Sequence, residues 1–245
     1  MLTEPTVDKL RTMRLEAMAT GYVEQAQKSD ITELGFDDRF GLLVDAEYLA
    51  RENKRLTRRL HEAKLRLSQA CVEDIDYPAQ RGLDKTLVRQ LATCTWVQGH
   101  QSVLITGLTG TGKSFIACAL VNQACRKGFR ALYCRTARLF DELVLARATG
   151  AHVRLLAKIA RMDVLVLDDW GLKPIADQER LDMLDILEDR YGVRSTVVTS
   201  QFPTEKWHDR LGEPTLADAI LDRLLHGAYR IALKGPSRRK EKPAA

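Results

Sequence analysis

Gly107-Leu108-Thr109-Gly110-Thr111-Gly112-Lys113-Ser114 satisfies the pattern G-x-x-x-x-G-K-[ST] at every required position. A chain carrying it needs a strand before it and a helix after it, because the phosphates bind to N–H groups at a helix N-terminus. Both flanks comply. Residues 101–106 form a short apolar run that reads as a buried parallel strand, and residues 115–127 read as a helix ended by Gly128. Gly107, Gly110 and Gly112 can turn their N–H groups inward as an anion nest, which a Cβ would hinder. Lys113 supplies a mobile cation for the β- and γ-phosphates, and the Ser114 hydroxyl is placed for Mg²⁺.

Strands and helices alternate downstream. Strands are expected at 131–134, 164–167, 195–199 and 229–233, with helical stretches at 137–160 (broken near Gly150), 177–191, 204–211 and 215–226. This pattern gives an α/β fold: a five-stranded parallel P-loop core with helices on both faces, behind a small α-helical domain and without a C-terminal lid. The expected divisions are 1–72, 73–98 (a linker with Pro78 and Gly82, then a helix capped by Asp84), 99–234 and a basic tail, 235–245. Trp96 on that linker helix is expected in the core rather than against a base.

Composition excludes some classes. No apolar run approaches the ~18 residues of a membrane span, and the N-terminus lacks a signal-peptide core. The five cysteines show neither C-x-x-C pairing nor zinc spacing, which suits thiols in a reducing cytoplasm. A net charge of +5 permits nucleic-acid binding without demonstrating it.

Where the charge clusters says more. Residues 6–28 have the spacing of one amphipathic helix, Ser29, Asp30 and Gly35 mark a loop, and a second helix is expected from Phe36 to about Cys71. Leu49, Leu56, Leu60, Ala63 and Leu67 fall on one side of it. Arg51, Lys54, Arg55, Arg58, Arg59, Lys64 and Arg66 are seven cations set against only Glu52 and Glu62. Such a face is either solvated or matched to a phosphate backbone. Without interleaved aromatics, duplex backbone suits it better than stacked single strands.

Four apolar residues followed by Asp168 form the second nucleotide motif, a strand-end carboxylate for Mg²⁺. The strand and helix lying between the two motifs suggest another strand inserted between their strands in the sheet. Asp169 stands where such ATPases usually carry a glutamate that polarises the attacking water, and it is one methylene shorter. Thr199, Ser200 and Gln201 end the fourth strand, where a polar group can sense the γ-phosphate or cap the next helix. Arg223 can serve a neighbouring subunit as a finger or pair with Asp218 or Asp222.

These motifs, with Arg81-Gly82-Leu83-Asp84, Leu167–Gly171, 199–201, 217–224 and Gly235–Arg239, make the chain resemble AAA+ ATPases of the DnaC/DnaA clade. More closely, it resembles IstB-like helper ATPases of bacterial insertion sequences. The resemblance implies ATP and Mg²⁺ as cofactors and ATP-dependent homo-oligomers on duplex DNA. It also implies remodelling of that DNA for a partner transposase, with no membrane association. It assigns Lys113 and Ser114 to phosphate and metal, Asp168 and Asp169 to metal and water, Gln201 or Thr199 to a sensor and Arg223 to the finger. Arg239 matches a terminal arginine of the family, and its role stays open. A DnaC-like helicase loader and a slowly hydrolysing nucleotide switch remain the competing readings.

Overall fold

The computed structural model describes residues 3–28, 31 and 33–238. The loop pair Ser29 and Asp30, Arg239 and the rest of the basic tail lie outside the described residues. The chain divides into two compact units, Met1–Arg58 and Arg59–Ala245.

In the first unit the helix expected over 6–28 is two helices, α1 (Thr3–Thr12) and α2 (Glu16–Gln27). The break has a backbone cause: Arg14 takes φ 60°, a left-handed conformation that no helix continues through. Glu47, on α3 (Phe36–Ala63), caps the start of α2 by accepting from the N–H groups of Ala17 (3.0 Å) and Met18 (3.2 Å). Arg51 holds that carboxylate from one turn further along, at 2.7 Å. The helix stops at Ala63, earlier than expected, because Lys64 adopts φ 51°. Lys64, Arg66 and Leu67 therefore follow the helix instead of extending its face, and Leu49 is exposed while Ala63 is fully buried.

The second unit is built on five parallel strands: β1 (Val103–Gly107), β2 (Ala131–Arg135), β3 (Val164–Trp170), β4 (Ser195–Ser200) and β5 (Tyr229–Leu233). Their order is β2-β3-β4-β1-β5. β4 thus sits between the strands of the two nucleotide motifs, the insertion that the sequence suggested. Strands covered on both faces must be apolar throughout, and Val164, Leu165, Val166 and Leu167 are all fully buried. The helices are α4 (Lys85–Ala92), α5 (Thr95–Gln98), α6 (Lys113–Arg126), α7 (Thr136–Ala148), α8 (His152–Ala160), α9 (Asp177–Glu188), α10 (Trp207–Leu211) and α11 (Pro214–Leu225).

Asp84 caps α4 as its position predicts, accepting from Thr86 N at 2.7 Å. The helix expected from Lys85 to Val97 breaks at Cys94, which has φ 64°. Trp96 is buried, its ring N–H bonded to Leu91 O at 2.9 Å, so it is a core residue. Among the described residues no helical lid follows β5. No helix there is long and apolar enough to cross a membrane.

Candidate nucleotide site

β1 ends at Gly107 and α6 begins at Lys113, so the phosphate loop spans the gap between a central strand and a helix N-terminus. The loop depends on its glycines. Gly107 has φ 148°, and a Cβ built there would lie 2.5 Å from the carbonyl of Leu233. Gly112, the residue before the helix, has φ 93°. Lys113 is 6% exposed and its Nζ donates to Leu108 O at 2.9 Å, folding the side chain back over the loop. Thr111 Oγ1 donates to the same carbonyl at 2.8 Å.

Asp168 lies beside Ser114 with no exposed surface. Its carboxylate accepts from Ser114 Oγ, at 2.9 Å to one oxygen and 3.1 Å to the other, and from the hydroxyls of Tyr133 and Thr199. Arg66 Nη1 stands 3.7 Å away. Burial first, and then the Asp168 carboxylate, push the Tyr133 phenol far above its ordinary pKa, so it remains a proton donor. This shell stabilises a buried anion that would otherwise be strongly disfavoured.

Asp169 is placed by an irregularity in the sheet. Leu167 pairs with Val198 on β4, but the next pair is Trp170 with Ser200. β3 spends three steps where β4 spends two, which is a β-bulge, a device that re-aims side chains near reactive centres. Asp169 occupies the bulge with φ 61°, and its N–H donates to Thr199 Oγ1 at 3.2 Å. Thr199 thereby links both aspartates. Gln201 Oε1 accepts from Thr109 Oγ1 at 2.8 Å, so the end of β4 touches the phosphate loop.

Arg223 lies elsewhere. It sits at the end of α11, before β5 begins, and lines a cleft with Gly99–Ser102, Arg190, Tyr191, Gly192 and Arg194 at the amino ends of β1 and β4, whereas the phosphate loop follows the carboxyl end of β1. Its guanidinium pairs with Glu188 of α9 and donates to Ala219 O at 2.8 Å. The expected partners Asp218 and Asp222 do not hold it by hydrogen bonds.

The seven cations do not share one helix, because α3 ends at Ala63 and Lys64 and Arg66 follow it. Arg51 pairs with Glu47 and Arg55 with Glu52, at 2.7 and 2.5 Å. Arg59 Nη1 donates to Cys125 O at 3.2 Å near the end of α6, and Arg66 joins the nucleotide site. Lys54, Arg58 and Lys64 make no ion pair among the described residues. Lys64 and Arg66 instead share a cleft of about 430 Å³ with Arg135, Arg138 and Lys158, whose only acid is Glu142.

The residues present fit a nucleotide with its metal. Mg²⁺ takes one or two carboxylates and completes its shell with substrate oxygens and water. Ser114 and Asp168 supply one hydroxyl and one carboxylate, and the described residues hold no cluster of three or more His, Cys, Asp or Glu that would bind a metal alone. The ion would enter with phosphate. Sequence reading did not assign Tyr133 to this site and put Arg66 on a DNA face. Tyr133 carries no local signal, and the place of Arg66 follows from the helix ending at Ala63.

Residues 8–245 match the model of a family described as IstB-like ATP binding protein. A putative insertion sequence ATP-binding protein of Sinorhizobium fredii is 47% identical over 240 residues, covering 98% of each chain. An insertion sequence IS21 putative ATP-binding protein of Pseudomonas aeruginosa is 31% identical, covering 99% of this chain and 90% of its own. Among solved structures, the DnaC helicase loader superposes with TM-score 0.55 at 22% identity, over 67% of this chain and 97% of that one. AMPPCP-bound DnaA from Aquifex aeolicus superposes with TM-score 0.59 at 17% identity, over 71% of this chain and 53% of that one. At these identities the two structures speak to the fold alone.

Proposed function

The chain belongs to the family of IstB-like ATP-binding proteins, and from that premise we propose that it is an ATPase that assembles on duplex target DNA and prepares it for a partner transposase. The observation that supports hydrolysis most directly is the bulge that holds Asp169, next along β3 from the Asp168 that Ser114 binds, with its N–H on Thr199.

Bound ATP with Mg²⁺ supplies an activated γ-phosphoryl group and the charge that neutralises it. The chain's residues do the rest. Loop N–H groups and Lys113 hold the phosphates, Ser114 and Asp168 hold the metal, and Asp169 takes the proton of the attacking water. Gln201 and Thr199 report from the end of β4. Arg223, far from its own loop, acts on the nucleotide of a neighbouring copy. Duplex DNA is held by cations that make no ion pair among the described residues, Lys54 and Arg58 on α3 and Lys64, Arg135, Arg138 and Lys158 around the cleft. Five free cysteines and the lack of a membrane-spanning helix among the described residues support a bacterial cytoplasmic setting.

Particle mass in solution tests this reading, in ADP and in a non-hydrolysable ATP analogue, with and without long duplex DNA. The expected result is a large assembly only when analogue and duplex are both present. A particle that stays monomeric on duplex, or assembles only on single strands, replaces this reading with helicase loading.

A further inference from the structure

One buried cation at the phosphate loop has no role in the site described above. Arg81 is 3% exposed. Its Nη1 donates to Asp76 O at 2.8 Å, while Nε and Nη2 are buried without a hydrogen-bond partner. Nη2 packs on the loop itself: a Cβ built on Gly112 would lie 2.5 Å from it.

The surroundings fix Arg81 there. Its N–H bonds Pro78 O and its carbonyl accepts from Lys234 N just after β5, both at 2.9 Å. The chain that follows β5 returns to the same loop, where Arg238 N donates to Gly110 O at 3.0 Å and the Arg238 side chain pairs with Asp76. Burial, and then the nearby charge of Arg238, disfavour the charged form of Arg81. A guanidinium does not shed its proton in proteins. A desolvated cation with two idle donors, beside a second guanidinium and an anion nest, is therefore a site shaped for an anion.

We propose that Arg81 binds the phosphate chain of the nucleotide through Nε and Nη2, with Arg238 at its side. The proposal rests on the ATP-binding reading and adds to it. The segments on either side of the strands, around Asp76–Gly82 and Gly235–Arg238, then close on the phosphates together. This brings cations to the loop in a chain whose described residues include no lid after β5.

The test compares Arg81→Met with the parent full chain by two measurements, the thermal midpoint without nucleotide and the affinity for ADP and for ATP with Mg²⁺. A merely structural arginine would lower the midpoint when removed and leave affinity alone. The expected result is the reverse. The midpoint holds or rises, because an uncompensated buried charge is gone, while affinity falls at least tenfold. Should the methionine variant fail to fold, Arg81→Lys carries the test: it keeps the charge, loses the planar fork and is expected to bind at least threefold more weakly. Affinity within twofold of the parent, in whichever variant folds, overturns the proposal. A parent that binds no nucleotide would overturn the ATP-binding reading instead, so the two failures are distinct.

Discussion

Ser114 Oγ donates to both carboxylate oxygens of Asp168, at 2.9 and 3.1 Å, joining the first turn of α6 to the carboxyl half of β3. With Tyr133 and Thr199 donating to the same group, the carboxylate is fixed before any ligand arrives. An amide in its place must turn an N–H₂ toward donors. Asp168→Asn is therefore expected to lose about 1–3 kcal/mol of stability, the cost of a buried polar group left without its partner. Urea unfolding measures it. Hydrolysis, followed as phosphate release, should fall at least a hundredfold, and hydrolysis within threefold of the parent would remove Asp168 from the metal's shell.

Arg66 stands at the same carboxylate, 3.7 Å from one oxygen and partly exposed. A cation there competes with a metal ion for one negative charge. Arg66→Ala should bind Mg²⁺–nucleotide at a several-fold lower Mg²⁺ concentration, read by titrating Mg²⁺ at fixed ATP. It should leave the salt dependence of DNA binding unchanged. A flattened salt slope with unaltered Mg²⁺ demand would return Arg66 to the DNA face on which the sequence placed it.

The DNA contacts proposed on α3 rest on fewer residues than the sequence put there. Arg55 and Arg59 already have partners, whereas Lys54 and Arg58 make no ion pair among the described residues. Replacing Lys54 and Arg58 by Ala should weaken duplex binding evenly across sequences. It should flatten the slope of log K against log salt by about 0.9 per lost phosphate contact. An unchanged slope would mean that these charges face only solvent.

The sequence carried the core almost whole and the front poorly, and the reasons are physical. Gly107–Ser114 and Val164–Asp168 declare themselves because one needs glycine at fixed places and the other needs an unbroken apolar run. Helix ends set by a side chain's local chemistry were also visible, as at Asp84. The breaks at Arg14, Lys64 and Cys94 were not, because each is a non-glycine residue in left-handed backbone, held by tertiary structure against its own preference. The end at Lys64 had the largest consequence, since it moved Arg66 from a helix face to Asp168. Partners distant in sequence, such as Glu188 for Arg223 or Asp76 for Arg238, leave no periodic trace.

Glu47 makes the front unit sensitive to acid. Its carboxyl is held below the usual glutamate value, first by Arg51 and then by the N–H groups of Met18 and Ala17. A group whose pKa is depressed on folding contributes stability that is present above the unfolded value. That contribution is lost as pH falls through the lower folded value. The α2 start should therefore loosen only below about pH 4.5, the ordinary value. Glu47→Gln should abolish that acid step while weakening α2 at neutral pH. Amide exchange at Ala17 and Met18 measures both, and an acid step that persists in the variant would place it elsewhere.

Asp169 brings backbone and chemistry to one residue. The bulge requires φ 61° there. Short polar side chains tolerate left-handed backbone better than longer ones. The shorter acid therefore suits the position on conformational grounds, and the bulge sets where its carboxylate stands. Two substitutions separate the requirements. Asp169→Asn keeps size and backbone preference but removes the base. It should preserve ATP affinity and the thermal midpoint while hydrolysis falls by about 10²–10⁴. Asp169→Glu keeps the base but strains the bulge, so it should cost about 1 kcal/mol of stability and move the carboxylate by a methylene. Hydrolysis by the asparagine variant within threefold of the parent would show that another group activates the water. A glutamate variant that is both as stable as the parent and faster would show that the bulge adapts to the longer side chain, and that the shorter acid limits turnover.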